Sequence, residues 1–172
     1  TENRTQDTGH APISSPNQSA QNLGRYQQIP TVKHVDELLG ELRAFTVLAL
    51  RSKGEHQSPA VAATDPARAM ILPFLRLQSQ FANKRGPYGY FVFDGFTDPT
   101  YPIRTVNINP GDEVVLASDG YPLLRPSLAQ SERELQRLKR EDPELISEYQ
   151  STKGFTPGND SFNDRTYLRF IA

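Results

Sequence analysis

The fold is decided by a short stretch, residues 112–120, which reads Asp112-Glu113-Val114-Val115-Leu116-Ala117-Ser118-Asp119-Gly120. The apolar run 114–117 is typical of a strand covered on both faces. It ends at once in Ser118, Asp119 and Gly120. The sequence therefore predicts a buried strand with the Asp119 carboxylate at its tip, suited to a metal ligand or a general base. The alternative is an ordinary strand followed by an Asp-Gly turn.

A second acidic stretch lies further along the chain, and it reads Ser161-Phe162-Asn163-Asp164-Arg165-Thr166-Tyr167-Leu168-Arg169-Phe170. Its polar first half predicts a turn, and its second half predicts a final strand. In that strand Thr166, Leu168 and Phe170 would share one face, because side chains alternate along a strand.

Together the two stretches resemble the type 2C metal-dependent protein phosphatases, over roughly residues 88–172. In that family the aspartate of a Ser-Asp-Gly segment and the first residue of an Asp-(Asn/Asp)-x-Thr motif are ligands of a two-metal centre. The resemblance implies that Asp119 is a metal ligand and the catalytic residue. It places Asn163 at the second ligand position, with Asp164 one residue later as the other candidate. It also implies Mn²⁺ or Mg²⁺ as the cofactor and a phosphoserine or phosphothreonine protein as the substrate.

The sequence departs from the family pattern in two ways. Asn163 offers a neutral oxygen where the family has a carboxylate, and no Asp-Gly-x-Gly-Gly motif occurs upstream of residue 88. Three hypotheses follow: a phosphatase domain that is incomplete or impaired, a non-catalytic domain of that fold that binds a protein partner, or a plain α+β interaction module. In the third, Asp119 is only a turn residue.

The composition limits the classes of partner that the protein is expected to bind. A net charge of -1 and a pI near 6.3 argue against nucleic acid and against an anionic membrane surface. The chain has no cysteine, which excludes disulfides and thiolate metal sites. No apolar run approaches the roughly 20 residues that span a bilayer, and no secretory leader is recognisable. We therefore expect a cytoplasmic protein.

The predicted fold class is α+β, with antiparallel sheet layers flanked by helices, as the resemblance to the C-terminal half of the phosphatase sandwich implies. Residues 1–30 are predicted to be a disordered polar tail, and residues 31–172 a domain with a helical insertion at about 126–150.

The predicted helices are 35–50, 65–83, one from Pro126 and one from Pro143. The first has an apolar stripe that contains Val35, Leu38, Leu39, Leu42, Phe45 and Leu48. The second starts at Asp65 as its N-cap, and Pro73 should kink it or split it in two. The fourth is predicted to turn Leu145, Ile146 and Tyr149 inward. The predicted strands are 88–93, 103–108 and 114–118, forming an antiparallel meander, and the final strand. A type II turn is predicted before the third of them, because Pro110 and Gly111 fall at its central positions.

Two further side-chain types have functional alternatives. Lys153 precedes the second acidic stretch, where it could hold a phosphate as a point charge or simply be exposed. The histidines are expected to be solvated and without a role, since no two of them have the spacing of metal ligands; they are His10, His34 and His56.

Overall fold

The computed structural model describes residues 33–56, 64–95, 100 and 105–172. Within these ranges the chain forms three α-helices, one 3₁₀-helix and two strands. They are α1 (His34–Ser52), α2 (Pro66–Leu77), the 3₁₀-helix Gln78–Phe81, β1 (Glu113–Ala117), α3 (Leu128–Glu141) and β2 (Tyr167–Ile171). The α+β class is thus confirmed at this coarse level. The predicted tail, residues 1–30, lies outside the described residues.

The two strands form one antiparallel sheet, with a register that runs from Glu113 opposite Ile171 to Ala117 opposite Tyr167. The turn before β1 is as predicted: Gly111 has a φ of 90°, and the Asp112 N–H donates to the Asn109 carbonyl at 3.0 Å. A positive φ at the third residue is what a type II turn requires. The strand that precedes Asp119 and the strand that follows Asn163 are thus both present, and they pair with each other.

The predicted meander is wrong, because β1 pairs with β2 rather than with an earlier strand. Residues 105–108 have no regular structure, and residues 103 and 104 lie outside the described part of the chain. The 88–93 segment is not a strand either. The Tyr90 backbone instead turns back to the segment after α2, where its carbonyl accepts from Asn83 at 2.7 Å and its N–H donates to Phe81 at 3.3 Å. These bonds use the backbone groups that a hairpin partner would need.

The prediction that β1 is covered on both faces is also wrong. Leu116 is 54% exposed, and Val114 and Val115 are only half-buried. The reason lies in α3, whose apolar stripe packs on the loops that follow it rather than on the sheet. The cluster that α3 joins contains Leu135, Leu138, Leu145, Phe155 and Phe162.

Local signals explain where the helices begin. Asp65 caps α2 by accepting from the Arg68 N–H at 2.8 Å, with Pro66 as the first helical residue. Ser127 caps α3 in a capping box with Gln130. Pro73 lies inside α2, which continues to Leu77 and then tightens into the 3₁₀-helix.

The residues of α1 that are buried differ from those that the apolar periodicity of the sequence predicted. Val35, Leu39, Ala44 and Val47 are buried, and so is Arg43. The remaining large apolar side chains of the predicted stripe are exposed or half-buried; the exposed ones are Leu38, Phe45 and Leu48. An apolar pattern therefore located the helix but not all of its buried face.

The predicted fourth helix is wrong, since residues 143–149 form a series of turns. Asp142 ends α3, and its carboxylate accepts from the backbone N–H groups of Ile146, Ser147 and Glu148 at 3.0–3.1 Å. Leu145 has a φ of 51°, outside the helical region. As predicted, Leu145 and Ile146 point inward, but they enter two different clusters. Leu145 joins that of α3, whereas Ile146 packs with Ala44, Val47 and Ala67.

Arg43 fastens this turn segment to both helices of the N-terminal half. Its side chain is fully buried, with Nε and Nη2 2.8 and 2.7 Å from the Asp65 carboxylate. Nη1 donates to the carbonyls of Glu144 at 2.7 Å and Ser151 at 3.2 Å. A buried guanidinium is tolerated when it is paired with a carboxylate and most of its donors find acceptors. In Arg43 the Nε and Nη1 groups donate hydrogen bonds, whereas Nη2 is held by the ion pair with Asp65 and makes no hydrogen bond.

We therefore predict that Arg43→Met lowers the free energy of unfolding by about 3–5 kcal/mol, because it leaves Asp65 Oδ2 and two carbonyls without the guanidinium that binds them. Urea unfolding followed by circular dichroism measures this loss. The control is Arg140→Met on the exposed face of α3, which should change stability by about 0.5 kcal/mol or less. A loss for Arg43→Met no larger than that of the control would contradict the prediction.

Candidate functional site

The two acidic stretches meet at one end of the sheet. Beyond the last strand pair, the Ser118 N–H donates to the Thr166 carbonyl at 3.0 Å, and the Thr166 N–H donates to the Ser118 hydroxyl at 2.9 Å. The same hydroxyl donates to the Asp164 carbonyl at 3.0 Å. The strand pairing therefore continues into the two loops and fixes them side by side.

Gly120 allows the loops to come this close. A Cβ atom at this position would collide with the backbone oxygen of Asp164 and approach the Arg165 side chain to 2.8 Å. Gly120 is buried, and the close approach of another backbone is a reason for glycine that does not depend on its φ angle.

A chain of two hydrogen bonds links three side chains at this junction. Asn163 Nδ2 donates to Asp119 Oδ2 at 2.8 Å, and Lys153 Nζ donates to Asn163 Oδ1 at 2.8 Å. Asp119 is exposed at the tip of β1, whereas Asn163 and Lys153 are half-buried. The resemblance implied that Asp119, facing a cleft or the loop around Asn163, shares a site with Asn163, and the structure brings these two residues into contact.

Asp164 lies at the same junction but contributes differently. The Asp164 backbone oxygen accepts a hydrogen bond from the Ser118 hydroxyl, and Asp164 as a whole is exposed to solvent. Its role as the other candidate ligand stays a prediction. Asp160, the third member of that loop, lies towards α3, with its carboxylate 3.6 Å from the Lys139 ammonium.

Tyr149 lies next to this site, and the negative charge of the site affects the pKa of its phenol. Its ring packs against Phe162, with the ring centroids 6.1 Å apart. Burial raises the pKa of the Tyr149 phenol, and the negative charges of Asp119, Asp36 and Glu37 raise it further. Asp36 and Glu37 both belong to the first turn of α1.

The expectation that His56 is solvated is wrong. Its side chain is 5% exposed, and its Nε2 lies 3.0 Å from the Glu144 carboxylate, which also binds Arg51 at 2.8 Å. His34 does lie at the surface, where it stacks on Tyr88 at 5.3 Å between ring centroids. His10 lies outside the described residues. The pairing of His56 with a residue 88 positions away had no local signal in the sequence.

The residues at the junction do not fit a two-metal centre. Such a centre needs several carboxylates around ions about 3.5–4 Å apart. In the described part of the chain, no three His, Cys, Asp or Glu side chains converge as a metal-binding group. The junction supplies the Asp119 carboxylate and an amide whose oxygen faces Lys153.

Comparison with known proteins gives no relative: no family profile, curated protein or solved structure matches the chain. None of the helices among the described residues has the length and apolar character needed to cross a membrane.

We predict that Gly120→Ala destabilises the protein by about 1–3 kcal/mol, because the added methyl group pushes the two loops apart. Urea unfolding gives the loss, and amide chemical shifts show where the structure changes. The shifts of residues 163–166 should move in this variant. Gly111→Ala, which strains a turn with a positive φ but meets no atom, should leave them unchanged. Equal shifts in the two variants would contradict the close approach.

The raised pKa of Tyr149 predicts a dependence of stability on pH. The folded state holds the phenolic proton more tightly than the unfolded chain, whose tyrosine pKa is 10.0. The free energy of unfolding should therefore be unaffected by this group below about pH 10 and should fall as the pH rises further. Tyr149→Phe should lose less stability between pH 9 and pH 11 than the wild type, as measured by urea unfolding. Identical losses would show that Tyr149 is not responsible.

Proposed function

We propose that this chain carries a domain of the type 2C phosphatase kind in which metal-dependent hydrolysis of phosphoserine or phosphothreonine is impaired. The supporting observation is the 2.8 Å contact between Asp119 and Asn163, which lie 44 residues apart. The sequence resemblance assigns these two positions to one metal centre. A chance resemblance of two short motifs gives no reason for them to meet.

The chemistry of the junction explains why the activity is proposed to be impaired. Hard divalent ions such as Mg²⁺ and Mn²⁺ prefer oxygen ligands, and carboxylates also neutralise their charge. Asn163 can offer one oxygen but no charge, and in the folded chain that oxygen accepts from Lys153. Asp119 is thus the one carboxylate of the two proposed ligand positions.

The alternative is a non-catalytic domain of the same kind that binds a protein partner. It is favoured by the apolar side chains that α1 and α2 expose, each at helical spacing on one face of its helix. On α1 they are Leu38, Phe45 and Leu48, and on α2 they are Met70, Phe74 and Leu77, all between 44% and 68% exposed. Exposed apolar side chains that share a face are a feature of protein-binding surfaces. On this alternative Mn²⁺ has no effect on the protein even when Asn163 is replaced.

Asn163→Asp tests the proposal, because it restores the charge that the resemblance requires. The new carboxylate would lie beside Asp119, and Lys153 would offset part of their repulsion in the absence of an ion. We predict that Mn²⁺ raises the melting temperature of this variant more than that of the wild type. A free-ion concentration 100-fold above Kd corresponds to about 2.7 kcal/mol of stabilisation.

Two controls accompany this measurement. Asp119→Asn in the Asn163→Asp background should abolish the gain, because it removes the partner carboxylate. Hydrolysis of a generic phosphate ester with Mn²⁺ should be weak or undetectable for the wild type. Robust hydrolysis by the wild type would contradict the proposed impairment. Equal effects of Mn²⁺ on the melting temperatures of the wild type and Asn163→Asp would remove Asn163 from the metal site and make Asp164 the ligand candidate.

A further inference from the structure

The orientation of the Asn163 amide is fixed by its two neighbours. Lys153 carries an ammonium group that can only donate hydrogen bonds, and the ionised Asp119 carboxylate can only accept them. The amide oxygen must therefore face Lys153 and the amide nitrogen must face Asp119, as the two 2.8 Å contacts have it. Reversing the amide would set donor against donor on one side and acceptor against acceptor on the other.

This orientation opposes metal binding at the junction. An ion held by Asp119 and Asn163 together needs the amide oxygen on the Asp119 side, so the amide must turn over. Its nitrogen would then point at the Lys153 ammonium. The ammonium would also lie close to a divalent cation, and like charges repel most where solvent screening is reduced.

The loop that carries Lys153 is anchored on both sides. On one side, the carbonyls of Ser151 and Thr152 accept from Arg43 at 3.2 Å and from Arg68 at 2.5 Å. On the other side, the Phe155 N–H donates to the Pro143 carbonyl at 2.8 Å. A Cβ atom on Gly154 would come within 3.0 Å of that same carbonyl, so the loop lies directly against the preceding turn. The ammonium is thus presented from a fixed backbone.

We infer that Lys153 holds the Asn163 amide with its oxygen turned away from Asp119, so that these two residues as a pair do not fit a divalent ion. Mn²⁺ or Mg²⁺ would be held by both residues only after the amide turns over against the Lys153 ammonium. Lys153 is a positioning residue in this inference, because it acts through the Asn163 amide. The inference rests on the proposed function, in which Asp119 and Asn163 are the ligand positions.

The test is a titration of the full 172-residue chain with Mn²⁺, following the free ion by electron paramagnetic resonance. Lys153→Met removes the ammonium and keeps the length of the side chain. It should bind Mn²⁺ at least about tenfold more tightly than the wild type, since both the bond that holds the amide oxygen and the nearby like charge are gone. Lys139→Met changes the net charge equally, but Lys139 bonds the Asn159 carbonyl at 2.7 Å rather than Asn163. This control should bind Mn²⁺ as the wild type does.

A second pair of variants separates this inference from the proposed function. Asn163→Asp should bind Mn²⁺ more tightly than the wild type, and Lys153→Met combined with Asn163→Asp should bind it most tightly. If Asn163→Asp gains affinity but Lys153→Met equals the wild type, Lys153 does not oppose metal binding and the inference is overturned while the proposed function stands. If neither Asn163→Asp nor the double variant gains affinity, both are overturned.

Circular dichroism without metal establishes that the variants fold. Should Lys153→Met fail to fold, Lys153→Gln replaces it, because glutamine carries no charge and its own amide oxygen can accept from Asn163 after that amide turns over. The expected gain in Mn²⁺ affinity is then the same, and its absence again overturns the inference. A gain shared by Lys153→Gln and Lys139→Met would show a general charge effect and would also overturn it.

Discussion

The antiparallel pairing of β1 with β2 is the constraint on which the functional arrangement depends. Its register places Ala117 opposite Tyr167, and the hydrogen bonds of Ser118 carry that register one residue further, to Thr166. Because the two strands are separated by about fifty residues of sequence, everything between them must leave the sheet and return to the same end of it. The contact between Asp119 and Asn163 is a direct result, since each lies just beyond a strand end.

The segment between the strands is held by polar contacts as much as by apolar packing. Asp142 accepts from three backbone N–H groups and so shapes a turn where the sequence predicted a helix. Arg43 then fastens that turn and the following loop to α1 and to the cap of α2. Such buried ionic contacts add little net stability over apolar packing, but breaking one is costly because its partners are left unpaired. These contacts instead fix the position of the loop, which returns towards the sheet with Lys153 directed at Asn163.

The sequence predicted those features that have local causes. Capping residues and apolar spacing located α2 and α3, and Pro110 with Gly111 located the turn before β1. The sequence did not predict the features that depend on contacts between residues far apart in the chain. The choice of β2 as the partner of β1, the exposure of Leu116 and the burial of His56 all depend on segments far along the chain. At the candidate site, the resemblance brought Asp119 and Asn163 together, but nothing local to Lys153 indicated which oxygen it would reach.

The central claim is that the Asn163 amide bridges Asp119 and Lys153, and nuclear Overhauser effects from its side-chain N–H protons measure this most directly. In the metal-free chain these protons should show cross-peaks to the Asp119 Hβ protons, because the Nδ2 to Oδ2 distance is 2.8 Å. They should also exchange with water more slowly than those of an exposed asparagine such as Asn159. Side-chain N–H protons of Asn163 that exchange as fast as those of Asn159 and show no cross-peak to Asp119 would contradict the bridge.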